Sequence, residues 1–124
     1  MRTVLIIDDE EDLTFFVKAN LELSGEYKVI IANNGRDGIK AAEHLKPDVV
    51  LLDIMMPQMD GLEVLAKLKK SIKTLSIPVV MLSAKGDDES KVYAASSYNE
   101  DYIVKPVQIE FLKEKLDQVL GLRE

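Results

Sequence analysis

Five consecutive acidic residues, Asp8-Asp9-Glu10-Glu11-Asp12, follow the aliphatic run Val4-Leu5-Ile6-Ile7 near the start of the chain. A second run, Val49-Val50-Leu51-Leu52, ends on Asp53, and a third, Pro78-Val79-Val80-Met81-Leu82, ends on Ser83. A short fourth, Tyr102-Ile103-Val104, ends on Lys105-Pro106. Were Asp8, Asp9 and Asp53 gathered in one place, their carboxylates would repel: two unit charges about 4 Å apart cost roughly 4 kcal/mol at an effective dielectric of about 20. A hard divalent cation with oxygen ligands would relieve that repulsion. Mg²⁺ takes one or two protein carboxylates, keeps several waters and completes its shell with phosphate oxygens. It would also neutralise charge as a phosphoryl group approaches Asp53, whose carboxylate could serve as nucleophile. Ser83 could donate a hydrogen bond to a phosphoryl oxygen, and the Lys105 ammonium could supply a point charge for another. These residue types together support metal-assisted phosphorylation of an aspartate.

Each residue alone has a plainer explanation. Asp8-Asp9 before a helix suits capping and dipole compensation, and Asp53 could cap the turn after its strand. Ser83 alone reads as a strand-end hydroxyl, and Lys105 as a solvated surface lysine. What raises the chemical reading above these is that four expected strands end in such residues on one edge of a sheet.

The elements that must hold these residues can be read from the apolar pattern. Continuous aliphatic runs of this length suit strands buried on both faces, as in a parallel sheet covered by helices. Strands are expected at Thr3–Asp8, Lys28–Ala32, Asp48–Leu52, Val79–Leu82 and Asp101–Val104. Between and after them, helices are expected near Glu11–Leu23, Arg36–Leu45, Leu62–Ser71, Asp88–Ser97 and Ile109–Leu120. Leu13, Phe16, Val17 and Leu21 form the inward stripe of the first helix, and Ile39, Ala42 and Leu45 that of the second. Leu112, Leu116 and Val119, with Phe111 beside them, do the same for the last. The helix over 88–97 is marked only by Val92 and Ala95. Gly25 and Gly121 read as stops, Gly25 as a left-handed cap, and Asn33-Asn34-Gly35 as a turn. The lone histidine, His44, reads as a surface residue.

Strand and helix alternation at this spacing makes right-handed βαβ units. The expected fold class is therefore α/β: a five-stranded parallel sheet, doubly wound and flavodoxin-like, with strand order 2-1-3-4-5. Ligands in such sheets bind beyond the carboxyl ends of the strands, at the switch point. In this order the first and third strands are neighbours there, which brings Asp8, Asp9 and Asp53 into one crevice.

Composition narrows the rest. The 124 residues suit one domain over 1–124, and 47% apolar content excludes a disordered class. The net charge of −6 argues against nucleic acid or an anionic membrane as the main partner. Without cysteine there is no disulfide or thiolate metal site. No apolar stretch approaches the roughly 20 residues a membrane helix needs, so a soluble, cytoplasmic protein is expected.

On these residues the chain resembles the receiver domain of bacterial two-component response regulators, over essentially its whole length. The likeness is carried by VLIIDDE, by LLDIMMPQMDGLEVL around Asp53, by VVMLSAK and by DYIVKP before the last helix. It implies that Asp53 accepts a phosphoryl group from the phosphohistidine of a sensor histidine kinase or a phosphotransfer protein. It further implies that Asp9 ligates Mg²⁺ directly, that Asp8 acts in the same shell through water, and that the Met55 backbone carbonyl is another ligand. Ser83 and Lys105 would contact the phosphoryl group, and Tyr102 would be the aromatic whose rotamer reports phosphorylation. The Lys105–Pro106 peptide would be cis. Pro57 and Gly61 bracket the loop after Asp53, and the small Ala84 leaves room for the incoming group. Phosphorylation would shift the face made by the helix over 88–97, the fifth strand and the last helix. A downstream effector protein, or a C-terminal output domain outside this chain, would read that face.

One departure stands out: Tyr98-Asn99 replaces the family's usual Gly-Ala pair before the fifth strand. The end of the helix over 88–97 is therefore expected to shift or fray, and Tyr93, Tyr98 and Tyr102 could form an aromatic partner patch. Three other readings compete, one of them a scaffold that is never phosphorylated, against which Asp8, Asp9, Asp53, Ser83 and Lys105 together argue. A phosphatase of the haloacid-dehalogenase type needs a second Asp two residues after the nucleophile, where this chain has Met55. A flavin or nucleotide carrier of flavodoxin type needs a glycine- and hydroxyl-rich loop where this chain has five acids. A receiver catalyses only its own phosphorylation and dephosphorylation and is not otherwise an enzyme.

Overall fold

The aliphatic runs become strands because both of their faces are covered. Side chains alternate across a strand, so neighbouring residues in a run point to opposite sides of the sheet. Val4, Ile6, Val49, Leu51, Val80, Leu82 and Ile103 belong to one buried cluster. Leu5, Ile7, Val50, Leu52, Val79 and Met81 belong to the other. A run that alternated polar and apolar residues could satisfy only one of these layers.

The computed structural model describes residues 1–84, 86–87 and 101–121. Among them the order is β1 (Arg2–Ile7), α1 (Glu11–Glu22), β2 (Tyr27–Ala32), α2 (Gly35–Leu45), β3 (Val49–Asp53), α3 (Gly61–Lys70), β4 (Val79–Ser83), β5 (Asp101–Val104) and α4 (Ile109–Val119). The helix expected over 88–97, with Lys85, Tyr93, Tyr98 and Asn99, lies outside the described residues. All strand pairings are parallel, and the sheet order is β2-β1-β3-β4-β5. The fold class and strand order expected from the sequence are those observed. Val17 and Leu21 of α1 and Leu112 and Leu116 of α4 cover one face. Ala42 of α2 and Val64, Leu65 and Leu68 of α3 cover the other.

Local chemistry sets the helix ends. Asn34 caps α2, its side chain accepting from the Asp37 N–H at 2.8 Å, so the helix starts at Gly35, one residue earlier than expected. Asp60 caps α3 in the same way through the Glu63 N–H at 3.0 Å. Gly25 (φ +75°) and Gly121 (φ +68°) take the left-handed conformation that glycine permits just past α1 and α4. Lys46 (φ +48°) does the same after α2 with a side chain that disfavours it.

The inward stripes need correction at three residues. Phe16, Leu45 and Phe111 are exposed rather than packed inward. In α1 the buried line runs Thr14, Val17, Leu21, and Phe16 is rotated about 100° away from Val17. Thr14 is tolerated in that line because its hydroxyl donates to the Glu11 carbonyl (3.0 Å) and accepts from Asn33 (3.2 Å).

Candidate functional site

Strand register brings the acidic residues together. Ile7 pairs with Leu52, so Asp8 and Asp53, the next residue of each chain segment, leave adjacent strands at one rim. One strand further out, Leu82 pairs with Asp53, and Ser83 then pairs with Val104, which precedes Lys105. The Lys105 N–H donates to the Ser83 carbonyl at 2.7 Å, and the Lys105–Pro106 peptide is cis. Asp8, Asp53 and Ser83 are all buried.

The Lys105 ammonium lies among three carboxylates. Its Nζ is 2.7 Å from Glu10 Oε1, 3.0 Å from Asp8 Oδ2 and 3.4 Å from Asp53 Oδ1. Asp8 is held from several directions: Oδ1 accepts the Glu10 N–H at 2.9 Å, and its backbone carbonyl accepts from Asn33 Nδ2 at 2.9 Å. Asp8 Oδ2 is different. It is buried and close enough to Lys105 for an ion pair, but not directed for a hydrogen bond, and among the described residues no other partner meets it.

One ammonium does not neutralise this group. Burial, then the charge of Asp8, and more weakly that of Asp9, push the Asp53 carboxyl up to about 7 against the pull of Lys105. Burial likewise raises Asp8, more than the Glu10 N–H and Lys105 lower it. For Lys105, burial by itself pulls the ammonium down. Its contacts with Glu10 and Asp8, and the charge of Asp53, outweigh that and leave it above its ordinary range.

Carboxylate oxygens of Asp8, Glu10 and Asp53 all lie within 4.8 Å of one another. A compact, all-oxygen donor set, with one buried oxygen lacking a directed partner and a surplus of negative charge, fits a hard cation such as Mg²⁺. The structure thus brings together Asp8, Asp53, Ser83 and Lys105 from the sequence reading. Asp9 is exposed and stands outside the tight group, although its charge reaches Asp53. Met55 has an exposed side chain, and Tyr102 is half-exposed on β5. Glu10 is the residue that sequence reasoning passed over. Its signal was present: in extended backbone, residues two apart point the same way, so Glu10 (φ −82°, ψ 100°) sits on the side of Asp8.

Gly61 fixes the loop after Asp53. Its N–H donates to the Ile54 carbonyl at 2.7 Å, and a Cβ placed there would stand 2.1 Å from the Asp53 carbonyl oxygen. Only glycine admits that approach.

Residues 4–117 match the family model for the response regulator receiver domain. The chain is 36% identical to the alkaline phosphatase synthesis transcriptional regulatory protein PhoP of Bacillus subtilis, covering 99% of this chain and 50% of PhoP. It is 38% identical to protein PilH of Pseudomonas aeruginosa, covering 98% of this chain and 99% of PilH. It therefore spans about half the length of one of these relatives and nearly all of the other. Among solved structures it is similar to the chemotaxis protein CheY4 of Vibrio cholerae, with TM-score 0.86 and 27% identity over 97% of this chain and 99% of that one. Five parallel strands in this order, an acidic rim that holds Lys105, and a match over nearly the whole chain agree: the protein belongs to the response regulator receiver domain family.

Proposed function

We propose that this chain is the phosphoacceptor of a two-component phosphorelay, with Asp53 as the acceptor. The observation that carries this reading is the Lys105 ammonium set between the buried carboxylates of Asp8 and Asp53 at the rim of the sheet. A carboxylate oxygen of Asp53 attacks the phosphorus of a phosphohistidine. A new O–P bond forms, the P–N bond breaks, and the imidazole nitrogen keeps the electron pair. Lys105 and Ser83 hold the oxygens of the transferred group. Asp9, Asp53 and the Met55 carbonyl would hold Mg²⁺, with Asp8 acting through water. When bound, Mg²⁺ supplies the positive charge that lets an anionic donor approach an anionic acceptor.

The donor would be a sensor histidine kinase or a phosphotransfer protein, and the recipient of the signal an effector protein or an output domain. Among the described residues no helix is long and apolar enough to cross a membrane, which agrees with a cytoplasmic site of action. Switching would run from Asp53 through Ser83, whose carbonyl is bonded to the Lys105 N–H, to Tyr102 on β5. Such a two-state change needs only a few kcal/mol of differential stabilisation.

Incubation with acetyl phosphate and Mg²⁺, followed by intact mass measurement, tests the proposal. Wild-type protein should gain the mass of one phosphoryl group, and Asp53→Ala should gain none. Equal incorporation in both would remove Asp53 from its role. Phosphate esters should not be turned over; sustained hydrolysis would favour a phosphatase instead. Amide spectra with a stable phosphoryl mimic should change around Tyr102, and an unchanged spectrum there would break the switching step.

A further inference from the structure

Lys105 makes its closest contact with Glu10, not with the acceptor it is meant to serve. Nζ lies 2.7 Å from Glu10 Oε1 in a formed hydrogen bond and 3.4 Å from Asp53 Oδ1. Glu10 is also the residue preceding α1, yet its side chain makes no capping bond to the helix. Its carboxylate reaches across to Lys105, 95 positions further along the chain. Its backbone N–H meanwhile donates to Asp8 Oδ1, so one residue grips two members of the site.

Exposure separates the three anions that share the ammonium. The side chains of Asp8 and Asp53 are 0% and 4% exposed, whereas that of Glu10 is 60% exposed. Breaking a buried ion pair leaves a charge without solvent, which is expensive; releasing an exposed one returns a carboxylate to water at little cost. Glu10 is therefore the partner that can leave.

Resting on the phosphoacceptor reading above, we propose that Glu10 is a placeholder for the phosphoryl group. It holds the Lys105 ammonium in the resting protein and gives it up when the phosphoryl oxygens arrive. Glu10 is a positioning residue in this scheme, since it acts through Lys105. It sets how readily the anion is captured, because every capture must first displace it.

The test is a comparison of wild type with Glu10→Gln and Glu10→Ala, each alone and combined with Lys105→Ala. Two quantities are read at saturating Mg²⁺: the half-saturating concentration of acetyl phosphate and the limiting rate of phosphorylation. Losing the placeholder should lower the half-saturating concentration about two- to fivefold, the range expected for an ion pair with one exposed partner. The limiting rate reports any part that Glu10, a member of the acidic group, takes in holding the cation, and a fall in that rate with no lower half-saturating concentration would overturn the placeholder. In the Lys105→Ala background the effect of changing Glu10 on half-saturation should disappear. The Lys105 ammonium resonance in metal-free protein should also shift in Glu10→Gln, reporting the broken pair directly. An unchanged or raised half-saturating concentration in a wild-type protein that does phosphorylate would overturn the placeholder alone. So would an effect of the same size without Lys105, which would mean simple repulsion between Glu10 and the donor. Failure of the wild type to phosphorylate at all would instead overturn the reading beneath it.

Discussion

At Asp53 the carboxylate charge proposed to attack phosphorus works against folding. Its carboxyl titrates at about 7, because of burial and the neighbouring Asp8, whereas an aspartate in an unfolded chain titrates near about 3.9. Between those values the folded protein holds a proton that the unfolded chain has released. The stability associated with that proton is fully present below about pH 4 and is lost as pH rises through about 7. Asp53→Asn should therefore stabilise the metal-free protein by on the order of 1–3 kcal/mol at pH 8, with the gain fading by pH 5. Urea denaturation at the two pH values checks this. A cation should act on the same imbalance: Mg²⁺ should raise the melting temperature at pH 8 and do little at pH 5, where the carboxyl is protonated. Chelation should reverse the gain. Four residues of the site could be read from the sequence because each ends an aliphatic run. For Glu10 the two-residue spacing from Asp8 was a signal, but its partner, a lysine 95 positions later, was not legible locally.

Among the elements, the connection from β3 to α3 is the most tightly specified. Gly61 brings the start of α3 against the Asp53 carbonyl, at a distance that leaves no room for a methyl group. Gly61→Ala should cost about 2–4 kcal/mol, because the atoms met are backbone and cannot turn aside. Phosphorylation by acetyl phosphate should slow in the same variant, since the loop carrying Met55 is displaced. Thermal denaturation and intact mass kinetics measure the two effects. The sequence located this glycine but not the reason for it; the turn was legible, the contact was not. Helix orientation shows the same limit. Leu13, Phe16, Val17 and Leu21 all fit a helical stripe, yet burial of Thr14 shows the true face turned away from Phe16. The hydroxyl is acceptable there through the Glu11 carbonyl of its own helix and through Asn33, which follows β2.

For the molecule as a whole, the parallel sheet was legible because uninterrupted aliphatic runs have few other uses in a short chain. The order of its strands was expected as a common one for a doubly wound sheet of this size, and the meeting of the acidic residues followed from it. β1 and β3 lie inside the sheet with ladders on both sides, whereas β5 is bonded only to β4. Amide hydrogen exchange should accordingly be slowest in β1 and β3, near the rate of global unfolding, and measurably faster in β5. Equal protection across all five strands would show that the sheet opens only as one unit.

That difference between interior and margin governs how such a domain can be wired. On the phosphoacceptor proposal the donor would reach Asp53 over the middle of the rim, while Tyr102 and Val104 are half-exposed on the last strand. On that proposal the place where the message would be written and the place where it would be read are separate. A listener can stay clasped to the outer margin while the donor comes and goes, so output could be reassigned by altering that margin without touching the chemistry.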